Sequence, residues 1–217
     1  MVIKAIFFDF DGTISDSHGL AFKSIVRTLD EYGFEFNQNK LLELMGNRMH
    51  IILKELGLDP GHLDSVRKRF YKHFTKGAKD GEIKLCVSMK PLWDLKKDYP
   101  LIVISNAEGS FVRASIKRLE LKGLFKKIYG ADKFSHKDDL LVELFKKMKI
   151  KPHEAIYIGD RFSDMEYARD AGCYAVAIHN KCAWSDLKTI KKEKPDHIIK
   201  DFRELKKVIR ELNSIGR

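Results

Sequence analysis

The stretch Val2-Ile3-Lys4-Ala5-Ile6-Phe7-Phe8-Asp9-Phe10-Asp11-Gly12-Thr13 decides the fold. A run of β-formers meets two carboxylates one residue apart, and Gly12 breaks the run at once. An apolar run bounded by such a turn is the pattern of a strand buried on both faces. At its carboxyl end the chain leaves the sheet, and open α/β sheets bind ligands there. Asp9 and Asp11 share one face of a regular strand, where they repel. Carboxylates are seldom buried unpaired, so the pair predicts a divalent cation, a proton-transfer pair, or both. Taken alone, Asp-x-Asp-Gly also fits a solvated strand-end turn, and the rest of the chain has to decide.

The chain has 217 residues, 44% hydrophobic and 33% charged, with a formal charge of +10. That length supports one large or two small domains with a sizeable core. No stretch approaches the ~20 apolar residues of a membrane span, and no signal-peptide pattern precedes the first strand. Cys86, Cys173 and Cys182 lack metal-ligand spacing and fit a reducing cytoplasm. The positive charge admits a surface for nucleic acid or another polyanion, or lysine-rich solvated helix faces. The basic residues alternate with apolar ones at helical spacing, without an aromatic-basic motif, which favours the second.

Between residues 16 and 80 only helical patterns occur. Asp16-Ser17 caps a helix running to about Tyr32, stopped by Gly33, and further helices are predicted over 39–45, 48–56 and 62–76. Beyond that, strands predicted at 101–105, 127–130, 155–158, 174–178 and 197–199 alternate with helices. This alternation predicts an α/β fold with a doubly wound parallel sheet. Residues 1–15 and 86–217 would form its Rossmann-like core, and residues 16–85 an inserted all-helical cap domain, hinged near 15–17 and 85–88.

Polar residues recur where these strands end. Ser105-Asn106 follows one, and Gly159-Asp160 follows another, with Asp164 four residues on. Lys137 sits in Ser135-His136-Lys137-Asp138-Asp139 at a helix start. Singly, each fits a helix cap or a surface side chain. Strand ends of one parallel sheet, however, gather along the same edge. In this order the segments resemble the motifs of the haloacid dehalogenase-like superfamily. The subgroup they resemble is its phosphatases with a small helical cap, of the phosphoglycolate phosphatase and β-phosphoglucomutase type. Asp9-Phe10-Asp11-Gly12-Thr13 matches the first motif, Ser105-Asn106 the second and Lys137 the third. Gly159-Asp160-Arg161-Phe162-Ser163-Asp164 matches the fourth, and the resemblance covers essentially the full length.

The resemblance implies a Mg²⁺-dependent phosphatase acting on a small phosphorylated metabolite, of phosphoglycolate or sugar-phosphate type. Asp9 would attack phosphorus and carry an aspartyl-phosphate, and Asp11 would act as acid and then base. Mg²⁺ would bind Asp9, Asp11 through its backbone carbonyl, and Asp160, with Asp164 orienting that shell. Ser105, Asn106, Lys137 and the backbone after Asp9, at Phe10, Gly12 and Thr13, would hold the phosphoryl oxygens. Arg48, in Gly46-Asn47-Arg48, resembles a cap arginine that contacts substrate in related sugar-phosphate enzymes. Asp11 argues against the dehalogenase branch, which lacks it. A sugar-phosphate mutase and a phosphatase of nucleic-acid ends stay open, as does either a monomer or a homodimer.

Overall fold

In the computed structural model, which describes residues 2–215, the strands are β1 (Ala5–Phe8), β2 (Ser15–Asp16), β3 (Lys84–Leu85), β4 (Leu101–Ile104), β5 (Lys127–Tyr129), β6 (Ala155–Gly159), β7 (Tyr174–Ile178) and β8 (His197–Ile199). Six of them form one sheet in the order β5-β4-β1-β6-β7-β8, with every pairing parallel. Along β1, Ile6 and Phe8 join the apolar cluster on one face, and Ala5 and Phe7 join that on the other. Burying each of these large side chains contributes ~1.5–3 kcal/mol. The two-sided apolar pattern thus appears as a central strand.

The ladder starts at Ala5 rather than at Val2, where the sequence pattern began. Val2 is exposed, and the Ile3 amide donates to Asn213 Oδ1 instead of to a strand. From β1 the chain fills β4 and β5 on one side, then returns to β6, β7 and β8 on the other. That reversal leaves a crevice at the carboxyl end of β1. Phe8 is level with Val103 of β4 and Ile158 of β6, so the residues just after those strands converge on Asp9.

Four helices, α1 (His18–Glu31), α2 (Gln38–Leu44), α3 (Met49–Glu55) and α4 (Leu63–Asp80), separate β2 from β3. Those two short strands pair antiparallel, a ribbon the sequence did not announce. The other helices are α5 (Lys90–Leu95), α6 (Gly109–Arg118), α7 (Lys137–Met148), α8 (Phe162–Asp170), α9 (Leu187–Lys192) and α10 (Leu205–Ile215). Apolar residues of α5, α6 and α10 cover one face of the sheet, and those of α7, α8 and α9 cover the other.

The helical segment sits directly on this scaffold. Its Leu20, Ile25 and Phe70 belong to the same apolar cluster as Ile6 and Phe8. Phe74 of α4 stacks on Phe111 of α6, with ring centroids 3.6 Å apart and planes 10° from parallel. Beside that stack, Arg67 pairs with Glu108. Among the described residues, no helix is long and apolar enough to cross a membrane.

Candidate active site

Asp9 leaves β1 with its amide still donating to the Ile158 carbonyl (2.8 Å), so the neighbouring strand fixes its backbone. The first residue of α7, Lys137, reaches it across the sheet edge. Lys137 Nζ lies 2.6 Å from Asp9 Oδ1, 3.0 Å from Asp164 Oδ1 and 2.9 Å from the Tyr157 hydroxyl. It is only 2% exposed, so the ammonium has exchanged water for these three oxygens. Asp160, at the end of β6, is fully buried. One of its carboxylate oxygens accepts from Thr13 Oγ1 and the other from the Trp184 amide, each at 2.8 Å. The tight turn at Gly12 makes this possible. Its φ is +82°, and a Cβ there would fall on the Asp160 carboxylate and the Trp184 ring.

Asp11 is held by two serine hydroxyls. Ser17 Oγ donates to its Oδ1 at 2.5 Å and Ser105 Oγ to its Oδ2 at 3.2 Å. The Ser105 hydroxyl in turn accepts from the Ala107 amide (3.0 Å). Ser105 is therefore committed to orienting Asp11, while Asn106, the next residue, lines the cavity. Burial pushes Asp11 up to about 6, with the hydrogen bonds from Ser17 and Ser105 pulling it back. Asp9 is pushed up to about 7, first by burial, against the pull of Lys137 and with the push of Asp164 and Asp11. Asp160 is raised well above the usual carboxylate range by burial and by the charges of Asp164 and Asp9. Burial would lower Lys137, but Asp164 and Asp9 outweigh it and hold the ammonium charged.

One ammonium thus faces three buried carboxylates. Oxygens of Asp9, Asp160 and Asp164 lie within 4.8 Å of one another. A compact, all-oxygen set with surplus negative charge fits a small hard dication such as Mg²⁺. The Asp11 carboxylate stands apart from this trio, held by its two hydroxyls.

Asp9, Asp11, Asn106, Lys137 and Asp164 line one cavity together with Met45, Gly46, Asn47 and Tyr71 of the helical segment. Arg48 stands elsewhere than its expected role requires. Its Nη2 donates to the Phe134 carbonyl (2.6 Å) and its guanidinium lies 4.6 Å from the centre of the Phe134 ring. The extended backbone at Arg48 (ψ 140°), just before α3, accompanies this contact with the loop preceding α7. One guanidinium N–H thus goes to a core carbonyl, and Arg48 is outside the set of side chains lining the cavity.

Three residues at or beside the site escaped the sequence reading: Tyr157, which touches Lys137, and Trp184 and Arg161, which line the cavity. Tyr157 lies inside an apolar strand, and its alternation with Ile156 and Ile158 marked only burial. Trp184 belongs to a loop after β7 that no motif names. Arg161 was visible only as a filler residue of the fourth motif, although a cation directly after Gly159-Asp160 was a usable signal.

The sequence model of the haloacid dehalogenase-like hydrolases matches residues 6–178. A glyceraldehyde 3-phosphate phosphatase from Pyrococcus furiosus is 30% identical, over 97% of this chain and 95% of its own. A phosphoglycolate phosphatase from Aquifex aeolicus is 25% identical, over 78% of this chain and 82% of its own. The solved structure of a haloacid dehalogenase-like family hydrolase from Streptococcus pneumoniae superimposes with a TM-score of 0.80 at 26% identity, covering 95% of this chain and 98% of that one. With the motif residues gathered at one sheet edge and the profile spanning most of the length, this chain belongs to the haloacid dehalogenase-like hydrolases.

Proposed function

We propose that this hydrolase of phosphate esters is a Mg²⁺-dependent phosphatase of small phosphorylated metabolites, working through an aspartyl-phosphate on Asp9. The observation that carries this reading is the Lys137–Asp9 contact of 2.6 Å inside the buried carboxylate cluster. The ammonium engages Oδ1 and leaves Oδ2 as the attacking atom. Lys137 also pulls Asp9 toward the ionised form that attack requires, against the burial that favours the acid.

Asp9, Asp160 and Asp164, with the Asp11 carbonyl, would hold the cation. When bound, Mg²⁺ supplies positive charge to the cluster and to the phosphoryl oxygens. Asp9 Oδ2 bonds to phosphorus as the bond to the leaving oxygen breaks. Asp11, protonated and aimed by Ser17 and Ser105, gives its proton to that oxygen. It then takes a proton from the water that attacks the aspartyl-phosphate, and inorganic phosphate leaves with Asp9 restored. Asn106 would steady the phosphoryl oxygens, and Lys137 would lend them its positive charge from beside Asp9. Residues 16–85 act as the cap in this reading, covering the site so that the acyl phosphate meets only the aligned water. Met45, Gly46, Met49, Phe70, Tyr71 and Phe74 of the helical segment enclose part of the cavity, which suits a small leaving group over a nucleic-acid end.

A phosphate-release screen over phosphoglycolate, glyceraldehyde 3-phosphate, pyrophosphate and hexose phosphates tests this. We expect turnover of at least one with Mg²⁺, a loss of about a hundredfold or more in chelator, and recovery when Mg²⁺ returns. Full activity in chelator, or no release from any ester, would overturn the reading.

A further inference from the structure

Two buried donors in the cavity have no acceptor. They are Arg161 Nη1 and Trp184 Nε1. Arg161 is 8% exposed, and it forms no ion pair among the described residues even though Asp160 and Asp164 flank it in sequence. Its backbone amide is already used, donating to Asp164 Oδ2 at 3.1 Å. Its guanidinium lies 5.7 Å from the Phe162 ring centre. A buried cationic donor left without an acceptor is costly, and such vacancies in a native fold call for an explanation.

The two side chains share a neighbour. A Cβ added at Gly46 of the helical segment, φ +88°, would fall on the Arg161 guanidinium and on the six-membered ring of Trp184. Gly46, Arg161 and Trp184 line the same cavity as Asp9 and Lys137. Of the two cations lining it, Lys137 is spent on Asp9, Asp164 and Tyr157. Arg161 is the one with a donor to spare.

Resting on the phosphatase reading, we propose that Arg161 and Trp184 form a subsite for a second oxyanion on the leaving group. The substrate class is then a phosphate ester or anhydride carrying a carboxylate or a further phosphoryl group. The guanidinium fork pairs with either anion, and the indole N–H adds a third donor in a setting that excludes competing water. A neutral leaving group, such as the aldehyde end of a triose phosphate, would leave the buried guanidinium as it now stands, without an acceptor. That asymmetry is the source of selectivity. Charge would be recognised here by a residue of the catalytic strand edge, not by Arg48.

The test measures kcat/KM for the full chain with Mg²⁺ on phosphoglycolate, pyrophosphate, glyceraldehyde 3-phosphate and p-nitrophenyl phosphate. The wild type should favour phosphoglycolate or pyrophosphate over glyceraldehyde 3-phosphate, and which of the two it prefers tells a carboxylate subsite from a phosphoryl one. In Arg161→Ala the ratio of the preferred anionic ester to p-nitrophenyl phosphate should fall about tenfold or more. Arg161→Lys, which keeps the charge without the fork, should fall between. A wild type that prefers glyceraldehyde 3-phosphate overturns the subsite without any variant, as does an Arg161→Ala ratio within twofold of the parent. Release from a hexose phosphate and from none of the four overturns the subsite alone, whereas release from no ester in the wider screen means that the phosphatase reading itself fails.

Discussion

Two groups of side chains line the same cavity. In one, Lys137 Nζ touches Asp9, Asp164 and Tyr157, and Asp11 is held by Ser17 and Ser105. In the other, the buried atoms Arg161 Nη1 and Trp184 Nε1 touch no acceptor. The first group ends in partners within the fold, and the second does not. A phosphoryl group is the same in every ester, so the groups that process it can be locked by partners within the fold. A leaving group differs between esters, and the donors that meet it stay open. Folding tolerates those open donors in the way active sites generally trade stability for function.

The largest effect falls at the locked group. Asp9→Asn replaces the nucleophile with an amide, and kcat should drop by about a thousandfold or more while far-ultraviolet circular dichroism is unchanged. Near-parental turnover in the purified variant would remove Asp9 from the chemistry.

A paired measurement sharpens the contrast. Lys137→Met leaves Asp9 and Asp164 facing each other without their ammonium, and urea unfolding in chelator should show a loss of about 3 kcal/mol. Arg161→Met removes a buried cation that has no acceptor, so its stability should stay within about 1 kcal/mol of the parent or rise. Equal losses for the two would mean that Arg161 has a partner in solution and that both groups are locked.

The smallest effect lies on the exposed side of the helical segment. There Glu31 accepts from Arg69 and Arg27 and contacts His73. The hydrogen bonds from Arg69 and then His73 lower it from an ordinary 4.5 to about 2. A carboxylate whose folded value is depressed stabilises the fold above its ordinary value, and that contribution disappears as pH falls toward the folded value. The wild type should therefore melt slightly above Glu31→Gln at pH values over about 4.5, and the gap should close as pH approaches about 2. A gap that persists or widens in acid would contradict the assignment. Solvent screening keeps this effect small beside the buried cluster.

The same contrast explains what the sequence revealed. β1 was legible because a strand buried on both faces must be apolar throughout, and Asp9, Asp11, Asp160 and Asp164 were legible because they follow strand ends at fixed spacing. Lys137 could only be nominated, since one lysine among the chain's 41 basic residues carries no local mark of burial. Its meeting with Asp9 depends on how α7 docks against the sheet edge. The motif context of Arg48 says nothing about Phe134, 86 residues away, whose carbonyl accepts from its Nη2. Arg161 and Trp184 were missed for a related reason. An unsatisfied donor is defined by what does not surround it, and that is a property of packing rather than of spacing. The ribbon of β2 and β3 went unseen because each strand has only two residues, too short for any periodicity.

The central claim, that Asp9 carries the phosphoryl group, has a direct test. In Asp11→Asn the base for the second step is gone, while p-nitrophenyl phosphate still leaves without needing a proton. A phosphoenzyme should therefore accumulate. Acid quenching followed by borohydride reduction converts an acyl phosphate into an alcohol, which peptide mass spectrometry locates. The account predicts homoserine in place of aspartate at position 9, and no such product in the Asp9→Asn, Asp11→Asn double variant. Release of p-nitrophenol with Asp9 unreduced, or with the label on another side chain, would contradict it.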